Sequence, residues 1–229
     1  MLARTCKGLT EPGLNRAYSE ITILGNDEPR GFTTWWAKFG KSAFRVKAIS
    51  YNCPENDQGR TLTERENSKL HSFTQVETLR LTGAHLDLAP EFTILQNVCS
   101  LSLDNCSMTT GKFVGYLRSF PQLKFLSISA PAFTDEFEHM DPTSLPNHGG
   151  LLKRHVALQL KFIPLAASTW LLYALTYVPF AFTTIHIHSS PSLVFCQIFP
   201  VFLGRTKETV TEIGIDGESP LRHTRPFVD

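Results

Sequence analysis

The stretch that decides the fold is VCSLSLDNC at residues 98–106, in which Val98, Leu101 and Leu103 are apolar. Leu101 and Leu103 are two positions apart, so they point to one face of a β-strand, while Ser102 and Asp104 point to the other. A short strand with one apolar face needs neighbours that cover it. The stretch therefore predicts a strand in a sheet that buries one face and leaves the other polar.

The same spacing, with apolar residues at one position and at three and five positions after it, recurs along the chain. Eight copies start at Tyr18, Val46, Val76, Val98, Leu123, His155, Phe182 and Val210. The copy at residue 155 is defective because its first position is polar. The intervals leave room for a return segment, so we expect stacked parallel strands around one continuous core. The predicted fold class is α/β, an irregular solenoid with a parallel sheet on its concave side and helices and loops on its convex side.

The segments between the copies have the composition of return segments. Helical spacing of apolar residues, with caps and prolines at the ends, predicts helices over 32–39, 109–120, 165–178 and 190–203. Polar sequence over 52–69, and a stretch rich in Pro and Gly over 135–150, predict loops. The second loop lies within the longest interval between copies, so it is interpreted as an insertion in one repeat.

The repeat resembles the leucine-rich repeat. That family's pattern continues with Asn or Cys three residues after the last apolar strand position, as Asn26 and Cys106 do here. The other six copies have Pro54, Ala84, Pro131, Ile163, Ser190 and Glu218 in this position. The resemblance implies a solenoid, and the missing asparagines imply an irregular one.

The N-terminus carries a second resemblance. The segment LARTCKGLTEPGL at residues 2–14, followed by Tyr18-Ser19-Glu20-Ile21, is similar to the end of an F-box and its exit into repeats in fungal F-box proteins. In that family the F-box binds the Skp adaptor of a cullin–RING ubiquitin ligase, and the repeats present the substrate. The earlier part of an F-box, with its Leu-Pro start, is missing. We therefore expect an F-box remnant over 1–17, a repeat domain over 18–229, and adaptor binding only if an F-box lies upstream.

The outward positions of the predicted strands are the candidate partner-binding residues. In a solenoid they align on the concave face, and here they are mixed, small and mostly neutral, which suits a peptide or protein better than a polyanion. They are Ser50, Asn52, Arg80, Thr82, Ser102, Asp104, Ser127, Ser129, Gln159, Lys161, His186 and His188. The alternative is that this face is exposed to solvent and binds no partner.

No catalytic, cofactor or metal site is expected. The chain has no phosphate-binding, dinucleotide-binding or hydrolase motif. His186 and His188 could share a metal, but zinc needs further ligands, and no Cys, Asp or Glu close in sequence supplies them. We therefore predict a non-enzymatic interaction module, the substrate-recognition part of an F-box-type ubiquitin ligase subunit. A solitary repeat scaffold without a ligase role is an alternative.

The charge and the cysteine content limit the classes of protein that remain possible. The net charge of +1 gives no basis for nucleic-acid binding, and five cysteines without paired spacing indicate reduced thiols and a cytoplasmic or nuclear location. No charged residue occurs from Phe162 to Gly204. The window predicts a thick part of the core, and a membrane span near 162–182 is the alternative. A strand copy at Phe182 argues against that span.

Overall fold

The computed structural model describes ten parts of the chain: residues 19–24, 40–53, 69–87, 92–134, 154–175, 178, 180–188, 199–200, 202–204 and 209–215. Several sequence predictions lie outside these residues. They are the F-box remnant at 1–17, Asn26, the helix at 32–39, most of the two predicted loops, the start of the helix at 190–203, and two of the cysteines, Cys6 and Cys196.

The fold is α/β and is organised around a parallel sheet. The strands are β1 (Glu20–Leu24), β2 (Ala48–Asn52), β3 (Thr78–Thr82), β4 (Ser100–Asp104), β5 (Ser107–Met108), β6 (Phe125–Ser129), β7 (Ala132–Phe133), β8 (Arg154–Lys161), β9 (Phe180–His188) and β10 (Glu212–Ile215). Among the described residues, eight of them form one sheet in the order β1-β2-β3-β4-β6-β8-β9-β10, and every neighbouring pair is parallel. Each strand of this sheet therefore lies beside the copies that precede and follow it in the chain.

The eight strands coincide with the eight sequence copies, and their apolar positions are in register. Leu101, for example, lies beside Leu79 on one side and Leu126 on the other. In the large sheet, the two apolar positions of each copy in β1, β2, β3, β4, β6, β8 and β9 are buried, as predicted. Burial of each such side chain contributes about 1.5–3 kcal/mol, so these two rows are the main source of the sheet's stability.

The last strand departs from the prediction. Ile213 and Ile215 of β10 occupy the same two rows, yet they are 44% and 56% exposed. β10 pairs with β9 alone and ends the described sheet, whereas β1 at the other end keeps Ile21 and Ile23 buried, so the exposure is specific to the β10 end. The eighth copy thus has the expected strand and register without the expected burial.

The defective copy is accommodated by a local irregularity. His155 is exposed, and the fully buried Val156 takes the core position beside Phe182. The pairing then shifts by one residue, so that Ala157 pairs with Thr184. An extra residue in one strand restores the register, which is the usual effect of a β-bulge.

A backbone turn of left-handed conformation recurs directly after the strands. Gly83, Asn105, Ala130 and Phe162 follow β3, β4, β6 and β8, with φ of 66°, 50°, 43° and 47°. Each of them donates its N–H to the last carbonyl of the next strand in the sheet, at 2.9 to 3.4 Å. These post-strand turns extend the ladder past the strand ends and redirect the chain away from the sheet.

A second, short parallel ladder follows the turns. β5 pairs with β7, and His85 forms a bridge to Ser107 at the start of β5. The copies that contain β3, β4 and β6 are therefore in register both in the large sheet before the turn and in the short ladder after it. Cys106 lies at this corner, where its thiol is 3.4 Å from the Leu81 carbonyl oxygen.

Two helices cover the buried face of the sheet. α1 (Thr110–Arg118) begins after Thr109, whose hydroxyl accepts the Lys112 N–H at 3.2 Å, as the predicted cap requires. α2 (Leu165–Leu175) packs against α1. Leu171 and Leu172 in α2 are fully buried, so the charge-free window supplies core here. Short 3-10 helices occupy Gly40–Arg45 and Phe92–Ile94.

The stretch predicted as an alternative membrane span has mixed structure. Phe162 is in a turn, α2 ends at Leu175, and Phe180 begins β9. In the described part of the chain, no helix is long and apolar enough to cross a membrane.

Candidate functional site

The candidate site is the polar face of the large sheet, formed by the side chains that alternate with the core rows. Strand pairing places these residues in two rows that cross the sheet. The first row is Thr22, Ser50, Arg80, Ser102, Ser127, Gln159, His186 and Gly214. The second row is Asn52, Thr82, Asp104, Ser129, Lys161 and His188.

All twelve residues predicted as outward-facing lie in these two rows. Eleven are half-buried or exposed, as a surface of contact requires. Ser127 is the exception, with 6% exposure. Its short side chain is covered because it bonds to the longer Gln159 of the neighbouring strand, so Ser127 supports that residue more than it contacts solvent.

At the amino-terminal end of the sheet, three strands are linked by polar contacts. Arg80 on β3 forms an ion pair with Glu20 on β1, with 2.6 Å between Nη1 and Oε1. The Ser50 hydroxyl, on the strand between them, donates to the same carboxylate oxygen at 3.4 Å. Both charged side chains are about half exposed, so solvent screening keeps the contribution to stability small. The contact orients Arg80 on the face.

At the other end, a hydrogen-bond chain crosses β6, β8 and β9. The Ser127 hydroxyl donates to Gln159 Oε1 at 3.3 Å, and Gln159 Nε2 lies 2.9 Å from His188 Nε2. With this amide orientation His188 Nε2 accepts, and the ring proton is on Nδ1.

His186 lies next to this chain and is held by two neighbours. Its ring is stacked with that of His188, with 6.3 Å between centroids. On the other side it lies over Gly214, where a Cβ would be 2.5 Å from His186 Nδ1. The His186 imidazole therefore fits only because Gly214 has no side chain. The sequence pattern did not identify Gly214 as part of the site.

The charges of the second row are spread along it. Asp104 and Lys161 are separated by Ser129, so two inter-strand spacings, about 10 Å, lie between their strands. This separation is too large for a direct ion pair. The two groups therefore face the space above the sheet as separate charges.

Sequence reasoning missed three exposed side chains beside these rows. Glu20 and Phe125 begin β1 and β6 on the polar face, one step before the first row, and the period of two could have found them. Phe162 is 63% exposed in the turn after β8. Its sequence context, the start of an apolar window, predicts burial and gives no signal for this turn.

The described cysteines and histidines form no metal centre. Among the residues that the structure describes, no group of three or more His, Cys, Asp or Glu is arranged to hold a metal ion. Cys53, Cys99 and Cys106 are thiols that form no disulfide bond, and burial is the main cause that raises the pKa of Cys106 to about 11. A thiol with a raised pKa is a poor nucleophile at neutral pH.

Comparison with known proteins adds no relative, since no family model and no curated protein matches this sequence.

Proposed function

We propose that the chain is a non-enzymatic protein–protein interaction module, an irregular solenoid similar to leucine-rich repeats that binds a partner on the polar face of its sheet. One observation carries this proposal. Parallel strands follow one another in chain order and align their outward side chains in two rows across the sheet. In this architecture the sheet lines the concave side of the solenoid and offers an extended surface to a partner.

The chemistry of the rows favours a protein or peptide as the partner. Ser, Thr, Asn and Gln predominate, and the charged members are Arg80, Asp104 and Lys161. Such a surface can exchange hydrogen bonds with a polypeptide backbone and side chains. A nucleic acid would need several cations aligned with its phosphates, and the two rows alternate in sign instead.

Substrate recognition for an F-box-type ubiquitin ligase is the specific role that we propose. It rests on the resemblance of residues 2–14 to the end of an F-box and on the repeat pattern that follows. In this role the polar face holds the substrate, and a Skp-type adaptor binds only through an F-box upstream of these residues.

The test compares two arginine substitutions. Ser102→Arg places a long charged side chain in the middle of the first row, whereas Gly115→Arg places the same side chain on α1, where a Cβ meets no atom within 4 Å. Tagged wild type and variants are expressed in cells of the source organism, and co-purified proteins are quantified by mass spectrometry. We expect partners that decrease roughly tenfold with Ser102→Arg and are unchanged with Gly115→Arg.

The thermal midpoints of both variants provide the folding control. Equal partner sets for the two variants, at equal thermal stability, would reject the polar face as the binding surface. The ligase role has its own readout, which is the ubiquitin content of any partner that depends on Ser102. If that content is the same in cells with and without the chain, the interaction module stands and the ligase role does not.

A further inference from the structure

Phe162 combines two properties that core packing does not explain. Its φ of 47° lies in the left-handed region, which a bulky side chain rarely adopts, and its side chain is 63% exposed. An exposed aromatic ring contributes little to the core. Gly83, Asn105 and Ala130 make the same turn, so the backbone conformation belongs to the fold, and the exposed aromatic ring is the property that needs another explanation.

The surroundings of Phe162 are polar and ordered. Its N–H bonds to the His188 carbonyl oxygen at 3.4 Å, so the turn lies beside the end of β9. Lys161 immediately precedes it and pairs in register with His188. The contact between Gln159 and His188 and the stacking of His188 on His186 hold these polar groups in place beside the turn that Phe162 makes. We call Ser129, Gln159, Lys161, Phe162, His186 and His188 the Phe162 patch.

The charge of this patch is one-sided. The outward positions of β6, β8 and β9 carry the ammonium of Lys161 and the two imidazoles, and in these described strands they carry no carboxylate. In the described part of the sheet, outward carboxylates occur on the two flanking strands, Asp104 on β4 and Glu212 on β10. Hydroxyl, amide and imidazole groups around a single cation are complementary to a carboxylate.

We propose that the Phe162 patch anchors an extended segment of a partner protein that carries an aspartate or glutamate next to an apolar residue. The carboxylate is received by Lys161 and the imidazole of His186, and the apolar side chain packs on Phe162. This inference rests on the proposed function, because it names the chemistry of the partner that the polar face would bind. Exposed aromatic residues beside a charged group are common anchors of such interfaces.

The test begins with a library of random 12-residue peptides displayed on phage and selected against the full chain. Enriched peptides are synthesised with a fluorophore, and their dissociation constants are measured by anisotropy. We expect an acidic residue adjacent to an apolar one in the enriched sequences. Phe162→Gly and Lys161→Glu should each weaken binding at least roughly tenfold. Lys112→Glu, the same charge reversal at an exposed position on α1 and outside the polar face, should change it less than about twofold.

Phe162→Gly also separates binding from folding. Glycine adopts the left-handed conformation without strain, so this variant should keep the wild-type thermal midpoint while it loses the peptide. Phe162→Asn, which tolerates the same conformation, is the second variant. A matched loss of stability and binding in both would assign Phe162 to the fold and overturn the proposal.

Other outcomes also decide the question. Peptides without an acidic residue, a loss with Lys112→Glu equal to that with Lys161→Glu, or no enrichment at all would overturn the anchor. The proposed function would survive these results if Ser102→Arg still removes cellular partners. The proposed function fails, independently of the peptide results, if Ser102→Arg removes no cellular partner.

Discussion

At the scale of single residues, Cys106 shows what burial does to a side chain that the sequence pattern had marked. It occupies the position at which the leucine-rich repeat pattern places Asn or Cys. Its thiol is 1% exposed and lies 3.4 Å from the Leu81 carbonyl oxygen and 3.5 Å from that of Asp104. Burial raises its pKa to about 11, and burial also raises the pKa of the nearby Tyr116 hydroxyl well above its usual value.

Because the pKa of the buried Cys106 thiol is raised, we expect the protein to lose stability at alkaline pH. The unfolded thiol ionises near pH 9.0 and the folded one near 11, so between these values the unfolded state binds fewer protons and is favoured as the pH rises. The free energy of unfolding should fall by up to about 3 kcal/mol from this group. Urea denaturation in reductant at pH 8, 9.5 and 11 measures the loss.

Two variants separate this loss from other alkaline effects. Cys106→Ala should lose less free energy of unfolding than the wild type over the same pH interval, although its stability at pH 8 is lower because buried packing is removed. Val98→Ala also removes buried packing but no ionisable group, so it should follow the wild-type pH dependence. Parallel curves for wild type and Cys106→Ala would contradict the assignment.

At the scale of elements, the strands and the turns differ in how far the sequence predicts them. The strands were found because the apolar spacing reports directly on burial, and all eight of them are in register. The post-strand turns were not predicted. Gly83 and Asn105 are residue types that favour the left-handed region, whereas Ala130 and Phe162 disfavour it. The ladder of N–H groups to the next strand imposes the turn regardless of residue type.

The turns yield a paired prediction. Ala130→Gly should stabilise the protein by about 0.5–1 kcal/mol, because relief of the left-handed strain exceeds the entropy that glycine loses on folding. Gly83→Ala should destabilise it by about 2 kcal/mol or more, since a Cβ there adds strain and would collide with the Cys53 carbonyl oxygen. Urea denaturation of both variants at neutral pH gives the sign of each change in the free energy of unfolding. A stabilising Gly83→Ala would show that the turn is not held as described.

At the scale of the whole molecule, stability is set by neighbours in the sheet. Central strands such as β4 pair on both sides and have fully buried apolar rows, while β10 pairs with β9 alone and keeps Ile213 and Ile215 largely exposed. Structures built from stacked units open from positions where neighbour contacts are fewest. The ends of the sheet should therefore open more readily than the centre.

Native-state hydrogen exchange tests this gradient. Amides of β3, β4 and β6 should exchange slowest, and those of β10 should exchange at least roughly tenfold faster under the same conditions. Asn105 and Ala130 amides should share the protection of the central strands, because they bond to the next strand. Uniform protection across the sheet would indicate a single cooperative unit and contradict the gradient.

The sequence by itself determined the strands, their order, their register and the face that each side chain occupies. It could do so because a period of two within a strand and a recurring copy along the chain are local properties, and burial of one apolar face follows from them. It also located the twelve polar positions and the cap of α1, which depend on the same local rules.

Only the tertiary structure decided which of the polar positions act together. Glu20 meets Arg80 sixty residues away, Gln159 links Ser127 to His188, and Gly214 makes room for His186. It also placed Phe162 in an exposed turn and left the last strand uncovered. These features arise from side chains on different strands that come within hydrogen-bonding or packing distance, and no spacing within one copy encodes them.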